Sequence, residues 1–363
     1  MNAAQQLHEA GQSLWLDNIT RGLLTSGQLE RYIEQDAVTG LTSNPSIFDK
    51  AITGSDDYDE QERELATSRL DTEAQFFELA LEDLRNAAAL FKPVWDTTGG
   101  RDGWVSLEVS PRLAHDTAGS VAQAKALHGQ AATPNLFIKI PGTAEGVPAI
   151  EELTLTGIPV NVTLLFSDAQ YRAAADAYYQ RGLQRRKAAG LDLNVASVAS
   201  IFVSRWDVAS VEKLPAELKD TLGIAVAQQA YRSYCQILGS QDWRALETQG
   251  ARPQRLLFAS TGTKDPAKPD TYYLEALAAP ETINTIPPAT LEAFADHGQV
   301  GEMLPADGGD ADQTIAKIEA AGIDVAKLAT TLQTEGATSF VTAWEDLMGS
   351  IEAKAIAVTA AAS

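Results

Sequence analysis

Residues 135–166 read NLFIKIPGTAEGVPAIEELTLTGIPVNVTLLF, and the repeating unit of the fold can be predicted from them. Two short apolar runs, at 135–141 and 159–166, flank a segment long enough for one helix. Runs of this kind are typical of strands that are covered on both faces. A strand, a helix and a second strand in this order predict two parallel strands joined by a right-handed crossover.

The same alternation continues along the chain. Eight strand-like runs are separated mostly by helix-sized segments, and the runs are Leu14–Ile19, Ala37–Asn44, Gly103–Ser110, Asn135–Pro141, Pro159–Phe166, Asn194–Phe202, Arg255–Thr261 and Glu281–Pro287. Eight such units favour a closed (β/α)8 TIM barrel over an open sheet. The glycine-rich loops of nucleotide-binding sheets, G-x-G-x-x-G and G-x-x-x-x-G-K-[ST], are absent from the sequence.

Helical patterns fill the rest of the chain. Between the runs they predict helices at Thr72–Phe91, Asp168–Ala189 and Glu217–Leu238. In the tail they predict helices at Ala311–Ala321, Val325–Leu332 and Ser339–Ala361. We therefore expect an α/β protein in which residues 1–363 form a single barrel domain with additional helices, including a C-terminal helical extension from about residue 300.

Composition and charge narrow the class of partner. Hydrophobic residues make up 45% and charged residues 21%, as in ordinary globular proteins. The formal net charge of −21 would repel a nucleic acid or an anionic membrane surface, so we expect neither as a partner. An anionic ligand must then be bound by a few local cations. The sequence leaves both a monomer and a homodimer open.

The chain carries features of a cytoplasmic protein. Its single cysteine, Cys235, leaves no partner for an intramolecular disulfide and fits a reducing compartment. The first residues, MNAAQQLHEAGQSLWLDN, lack the basic and apolar regions of a secretory signal. No apolar run approaches the ~20 residues that a transmembrane helix needs.

Polar residues follow or end seven successive predicted strands, where barrels carry their active sites. They are Asp17 and Asn18; Thr42, Ser43 and Asn44; Glu108; Lys139; Asn161 and Thr163; Ser200, Ser204 and Arg205; and the loop Ser260–Lys264. Each has an ordinary structural explanation by itself: Glu108 could pair with Arg112, and Asn161 could satisfy Thr163. Together they indicate a functional site, because buried polar groups cost free energy unless they are paired.

Lys139 is the only lysine inside a convincing strand, between Ile138 and Ile140. Burial favours the neutral form of an amine, and a neutral amine attacks a carbonyl carbon to form a Schiff base. The protonated imine then accepts electrons when a nearby C–C bond breaks. The structural alternative is a buried ion pair with Glu108 or Asp17.

The two acids suit the proton transfers of this chemistry. Asp17 and Glu108 lie on different predicted strands and can hold different pKa values, so they can divide the work of acid and base. Thr163 can hold a water molecule between Glu108 and the imine carbon. The four histidines are scattered without metal-ligand spacing, so we expect neither a metal nor another cofactor.

Donors suited to phosphate follow the sixth and seventh predicted strands. The Arg205 guanidinium can bind a phosphate bidentately, and the loop Ser260–Lys264 can offer backbone N–H groups. Barrels commonly bind phosphate on the loop that follows the seventh strand.

Three stretches resemble the transaldolase family: TGLTSNPSIF at 39–48, FIKIPGTAEGVPAIEELTLTGIPVNVTLLFS at 137–167 and SIFVSRWD at 200–207. The resemblance covers roughly residues 10–300, and the length suits the longer actinobacterial or cyanobacterial members. It implies a transferase of the non-oxidative pentose phosphate pathway that works through a lysine Schiff base. Such an enzyme moves a dihydroxyacetone unit from sedoheptulose 7-phosphate to glyceraldehyde 3-phosphate, giving erythrose 4-phosphate and fructose 6-phosphate.

The resemblance also implies catalytic roles. Lys139 matches the Schiff-base lysine, and Asp17 matches the aspartate that exchanges protons with the substrate hydroxyl. Glu108 and Thr163 match the pair that holds the catalytic water.

Substrate-binding roles follow in the same way. Asn44 and Asn161 match asparagines that bind the dihydroxyacetone hydroxyls. Ser200 matches a residue that makes a further hydroxyl contact, and Phe202 matches an aromatic residue beside the imine. Arg205 matches a phosphate-binding arginine.

One position departs from the family pattern. Many members have a second phosphate arginine two residues after the serine that is Ser260 here, and this chain has Gly262 there. Lys264, or the backbone of the Ser260–Thr263 turn, is the candidate substitute.

Two alternatives share these residues. A Schiff-base fructose 6-phosphate aldolase-like enzyme would release free dihydroxyacetone, but such relatives are much shorter chains. A sugar-phosphate binding barrel without catalysis would not need a strand lysine beside two acids.

Overall fold

The computed structural model describes residues 1–361, whose strands form one parallel sheet. The strands are β1 Ser13–Asp17, β2 Val38–Thr42, β3 Val105–Glu108, β4 Leu136–Pro141, β5 Val160–Leu165, β6 Ser197–Phe202, β7 Gln254–Ala259 and β8 Ile283–Ile286. Their order in the sheet is β2-β1-β8-β7-β6-β5-β4-β3, and every paired neighbour is parallel.

The helices are α1 Ala3–Glu9, α2 Arg21–Thr25, α3 Gln28–Gln35, α4 Pro45–Gly54, α5 Asp59–Ala66, α6 Thr72–Thr97, α7 Thr117–Ala131, α8 Gly146–Thr156, α9 Asp168–Asp176, α10 Gln184–Ala188, α11 Ser204–Ser210, α12 Leu222–Gly239, α13 Gln241–Glu247, α14 Tyr272–Ala276, α15 Pro288–His297, α16 Ala311–Ala320 and α17 Val325–Ala361. A π-helical stretch, Ala177–Leu183, joins α9 to α10. Within residues 1–361, no helix has both the length and the apolar character needed to span a bilayer.

The two outer strands of the sheet, β2 and β3, meet through one parallel bridge between Gly40 and Trp104. The Leu41 N–H donates to the Trp104 carbonyl oxygen at 2.9 Å. A Cβ at Gly40 would lie 2.8 Å from that oxygen and from the Trp15 indole, so only glycine allows this approach. The bridge joins the sheet into a nearly closed barrel, and the predicted (β/α)8 TIM barrel is confirmed.

Each predicted run overlaps an observed strand, but every observed strand is shorter than its run. The seventh, for example, ends at Ala259, because Ser260 turns into the left-handed region with φ +57°. Ser260 thus leaves the ladder after Ala259 and lines the cavity at the barrel mouth.

Three predicted helices were wrong in their details. The helix predicted as Thr72–Phe91 continues through Pro93 to Thr97. The helix predicted from Glu217 begins only at Leu222, after a short 3-10 turn.

The segment predicted as Asp168–Ala189 contains the π-helical stretch, in which Tyr178 faces the barrel and donates its hydroxyl to Val195 O at 2.7 Å. Tyr178 also donates to Arg252 O at 2.7 Å, and local propensity does not encode such contacts between distant segments.

The tail differs most from the prediction. Instead of two helices separated at residues 333–338, α17 is one continuous 37-residue helix. Its Gly336 packs closely on the barrel mouth: a Cβ there would lie 3.0 Å from Leu164 Cδ2. A glycine lowers helix propensity, but at this position it lets the helix backbone pack closely on Leu164.

The far part of α17 is anchored on the helices that follow β2. Trp344 is buried against Phe76 and Phe77, with ring centroids 5.1 and 5.7 Å apart. The Lys354 ammonium donates to Ile52 O at 2.6 Å and Ser55 O at 2.7 Å. These contacts hold the helix across the carboxyl ends of the strands.

Candidate active site

A cavity of about 180 Å³ opens at the carboxyl ends of the strands and is called the mouth cavity here. It is lined by Asp17, Thr42, Asn44, Ser46, Lys139, Thr163, Ser200, Phe202, Arg205, Ala259, Ser260, Gly262, Lys264, Thr285, Pro287, Ser339 and Phe340. The structure thus brings together nine of the eleven residues predicted for the site. The other two, Glu108 and Asn161, lie buried behind this lining.

Lys139 and Glu108 form an ion pair at the centre of the site. They occupy paired positions on the adjacent strands β4 and β3, and each is only 7% exposed. The Lys139 ammonium also donates to the Ser43 carbonyl oxygen at 2.9 Å, at the end of β2. The amine is therefore held toward the mouth cavity by groups from two other strands.

Burial raises the pKa of the Glu108 carboxyl above its usual range, and the positive charge of Lys139 opposes that effect. The alternative pairing of Glu108 with Arg112 is wrong. Arg112 lies on the surface and pairs with Glu345 at 2.7 Å. Glu108 is thus a buried carboxylate whose cation is the site lysine.

Asp17 ends β1 and faces the same cavity. Its carboxylate accepts a hydrogen bond from the Thr42 hydroxyl at 2.9 Å, and Thr42 lies 2.6 Å from the Thr285 hydroxyl. Burial raises the pKa of Asp17, while the charge of Lys139 and the Thr42 hydrogen bond lower it. Two carboxyl groups of raised pKa therefore flank one amine, each in a different hydrogen-bonding environment.

Thr163 presents a buried hydroxyl to the cavity. Its Oγ1 has no hydrogen-bond partner among the residues that the structure describes. A buried hydroxyl without a protein partner is suited to bind a water molecule or a substrate oxygen. The alternative in which Asn161 satisfies Thr163 is therefore wrong.

Asn161 lies behind the cavity wall and holds Ser200 in place. Its amide donates to Ser106 Oγ at 3.2 Å and accepts from the Ser200 hydroxyl at 2.8 Å. Ser200 itself lines the cavity. On the opposite side, Asn44 caps α4 by accepting from the Ile47 N–H at 3.1 Å.

The cations stand on another wall of the cavity. The Arg205 guanidinium lies 5.2 Å from the centre of the Phe202 ring, and within residues 1–361 it makes no hydrogen bond or ion pair. Burial lowers its pKa, while the charge of Glu108 raises it. Lys264 also lines the cavity. A desolvated cation with free donors in a strongly acidic protein indicates an anion-binding site.

The loop after β7 lies beside these cations. Ser260 shares a hydrogen bond of 2.8 Å with Ser204, at the start of α11. Gly262 lines the cavity, and a Cβ there would contact Pro287 Cγ at 3.3 Å. The loop brings backbone groups and Lys264 to the mouth without a second arginine.

Sequence reasoning missed six cavity residues: Ser46, Ala259, Thr285, Pro287, Ser339 and Phe340. The polar end of the eighth run was a usable signal for Thr285. Ser339 and Phe340 belong to α17, which is far from the strands in sequence and reaches the mouth only through tertiary packing.

The fold and this arrangement define a (β/α)8-barrel protein with a lysine-centred site. The family model described as "Transaldolase/Fructose-6-phosphate aldolase" matches residues 14–351, so the match includes most of α17. The chain belongs to this family, and the resemblance found in the sequence is confirmed.

Relatives named "Transaldolase" match over nearly their whole length. One from Frankia alni is 45% identical and one from Saccharopolyspora erythraea 44% identical, each with 96% of both chains covered. "Transaldolase 2" of Streptomyces avermitilis is 43% identical, with 97% of both chains covered.

Proposed function

We propose that the protein is a transaldolase that transfers a dihydroxyacetone unit from sedoheptulose 7-phosphate to glyceraldehyde 3-phosphate. The products are erythrose 4-phosphate and fructose 6-phosphate. One observation carries the proposal: the buried Lys139 amine faces the mouth cavity, paired with Glu108 and sharing the cavity with Asp17. The names of the near-full-length relatives support the same activity.

Imine formation begins with the ion pair. Glu108 takes a proton from the Lys139 ammonium, and the neutral amine attacks the ketone carbon of the donor sugar. The carbinolamine then loses water to give the protonated imine, with Glu108 returning the proton to the leaving oxygen. Thr163 Oγ1 holds that water between the carboxyl group and the imine carbon.

Cleavage and transfer use Asp17. It accepts the proton of the substrate hydroxyl while the C–C bond breaks, and the bonding electrons move into the imine to give an enamine. The aldehyde product leaves, and the acceptor aldehyde takes its place. The enamine carbon then attacks the acceptor carbonyl, Asp17 returns the proton to the new hydroxyl, and water releases the product from Lys139.

The remaining residues hold the sugar phosphate. Asn44 and Ser200 bind the hydroxyls of the dihydroxyacetone unit, with Asn161 orienting Ser200, and Phe202 lies beside the imine. Arg205, Lys264 and the Ser260–Thr263 turn bind the phosphate. The imine itself accepts the electrons, so the proposed reaction uses no cofactor. The single half-buried cysteine, Cys235, fits a cytoplasmic location.

A transfer assay tests the proposal. With fructose 6-phosphate as donor and erythrose 4-phosphate as acceptor, the protein should form sedoheptulose 7-phosphate and glyceraldehyde 3-phosphate. Lys139→Met should abolish turnover, whereas Lys317→Met, an exposed lysine on α16, should leave it unchanged. Release of free dihydroxyacetone without transfer would show an aldolase, and binding without turnover would show a sugar-phosphate binding protein.

A further inference from the structure

The guanidinium of Arg205 lies near two aromatic rings. Its central carbon is 5.2 Å from the centre of the Phe202 ring, at the end of β6, and 5.8 Å from that of Phe340. Phe340 belongs to α17 and lines the mouth cavity. Aromatic faces attract a guanidinium and leave its N–H groups free for another partner. The barrel and the C-terminal helix therefore share the placement of this cation.

Gln333 fixes α17 over the mouth. Its side-chain amide donates to the carbonyl oxygens of Gly142 and Leu164, each at 2.9 Å. Leu164 has φ +59° beside a register shift in β5, so its carbonyl has left the regular ladder. The amide thus joins the ends of β4 and β5 to the helix.

The face of α17 that meets the mouth is set by helical spacing. Gln333, Gly336 and Phe340 follow one another at three and four residues, which places them on one side of a helix. A Cβ at Gly336 would lie 3.3 Å from the Arg205 Nη1 atom. The glycine therefore lets the helix backbone approach the guanidinium and brings Phe340 within reach of it.

Ser339 adds a hydroxyl to the same cavity. It lines the cavity together with Arg205, Gly262 and Lys264, and its hydroxyl makes no hydrogen bond to any residue in 1–361. A free hydroxyl beside two cations is suited to donate to an anionic oxygen.

We propose that α17 completes the phosphate half of the site: Phe340 positions the Arg205 guanidinium, and Ser339 donates its hydroxyl to the phosphate. This inference rests on the proposed function, because it requires a sugar phosphate in the mouth cavity. It assigns to the C-terminal helix a specificity for phosphorylated over unphosphorylated substrates.

The test separates phosphate binding from imine chemistry. For each variant, kcat and KM are measured with fructose 6-phosphate as donor. Borohydride trapping of dihydroxyacetone, which carries no phosphate, then reports the reactivity of Lys139 alone. Phe340→Leu should raise the KM for fructose 6-phosphate about five- to tenfold, within the range expected for a lost cation–π contact. The dihydroxyacetone concentration for half-maximal trapping should stay unchanged.

Three further variants complete the design. Ser339→Ala should raise the same KM several-fold, while the neighbouring Thr338→Ala should not, because the Thr338 hydroxyl donates to Thr334 O on the exposed side of α17. Phe340→Tyr keeps the ring and should restore the KM.

Three results would overturn the inference. An unchanged KM in Phe340→Leu would show that the ring does not position Arg205. An equal loss with dihydroxyacetone would show a general structural effect. Absence of any trapped adduct in the unmodified protein would instead refute the proposed function, and this inference with it.

Discussion

Lys139 and Glu108 stand at paired positions on neighbouring parallel strands, and their charged groups form an ion pair inside the barrel mouth. The sequence left two interpretations of Lys139 open, a Schiff-base amine and a partner in a buried ion pair. This arrangement is compatible with both. In the proposed mechanism, this pair places a proton acceptor directly beside the amine that loses a proton. Because burial raises the pKa of Glu108, its carboxyl group can accept that proton more readily than an exposed glutamate could.

Removing the lysine should make stability depend on pH. In Lys139→Met the buried Glu108 carboxylate loses its cation, so its pKa in the folded state rises further above the unfolded value. The folded protein then binds the proton more tightly, and stability is lost as pH rises through the folded pKa. In urea unfolding, the free energy of unfolding of this variant should be slightly below that of the unmodified protein near pH 5. At pH 8 it should be lower by about 3–5 kcal/mol.

The double variant Glu108→Gln/Lys139→Met is the control, because Glu108 no longer titrates and Asp17 loses the same neighbouring cation in both variants. Its stability relative to the unmodified protein should vary much less between pH 5 and pH 8. A loss of equal size at both pH values in the single variant would contradict the ion pair.

Asp17→Asn should separate imine formation from bond cleavage. The amide keeps an oxygen that can accept from Thr42 but cannot take the proton of the substrate hydroxyl. We expect the imine with fructose 6-phosphate to form and kcat for transfer to fall by about 10²–10⁴. Rapid-quench trapping and steady-state kinetics measure the two steps, and full transfer activity would show that Asp17 has no such role.

Gln333→Leu should make the enamine more accessible to water. The substitution removes both hydrogen bonds that tie α17 to Gly142 and Leu164. We expect a larger fraction of turnovers to end as free dihydroxyacetone instead of transfer product. Thr334→Val, on the exposed side of the same helix, is the control. An unchanged ratio of free dihydroxyacetone to transfer product in Gln333→Leu would rule out shielding by this contact.

Glu62 lies where α17 is anchored, and it should make the free energy of unfolding depend on pH. Burial raises its pKa to about 7, a nearby Lys354 lowers it, and Asp59 raises it. Since the folded pKa lies above the unfolded value, the favourable contribution is present below about pH 4.5 and is lost as pH rises to about 7. Between pH 5 and pH 8, the free energy of unfolding of Glu62→Gln should rise by on the order of 1–2 kcal/mol relative to that of the unmodified protein.

The exposed Glu60 on the same helix, changed to Gln, is the matched control for urea unfolding. It should show no gain over this pH range. If the difference in free energy of unfolding between the unmodified protein and Glu62→Gln did not change with pH, the raised pKa of Glu62 would be contradicted.

The barrel was predictable because strand and helix patterns are local. The apolar run around Lys139 identified β4, and the polar end of each run identified the mouth, since parallel strands bring their carboxyl ends together. For the same reason, nine of the predicted site residues do line one cavity.

Non-local contacts were not predictable. The sequence places Gly336 at an apparent break between two helices, and only the close approach of α17 to Leu164 explains it. Likewise, Phe340 contacts Arg205 at the barrel mouth, and Arg112 forms an ion pair with Glu345 instead of Glu108. Such partners are chosen by packing between distant segments, which leaves no periodic signal in the sequence.

The most direct test of the central claim is to trap the Schiff base and locate it. The protein is mixed with fructose 6-phosphate, reduced with borohydride and digested, and the modified peptide is identified by mass spectrometry. We predict one stable adduct on Lys139, absent from Lys139→Met. No adduct, or an adduct confined to another lysine, would contradict the mechanism.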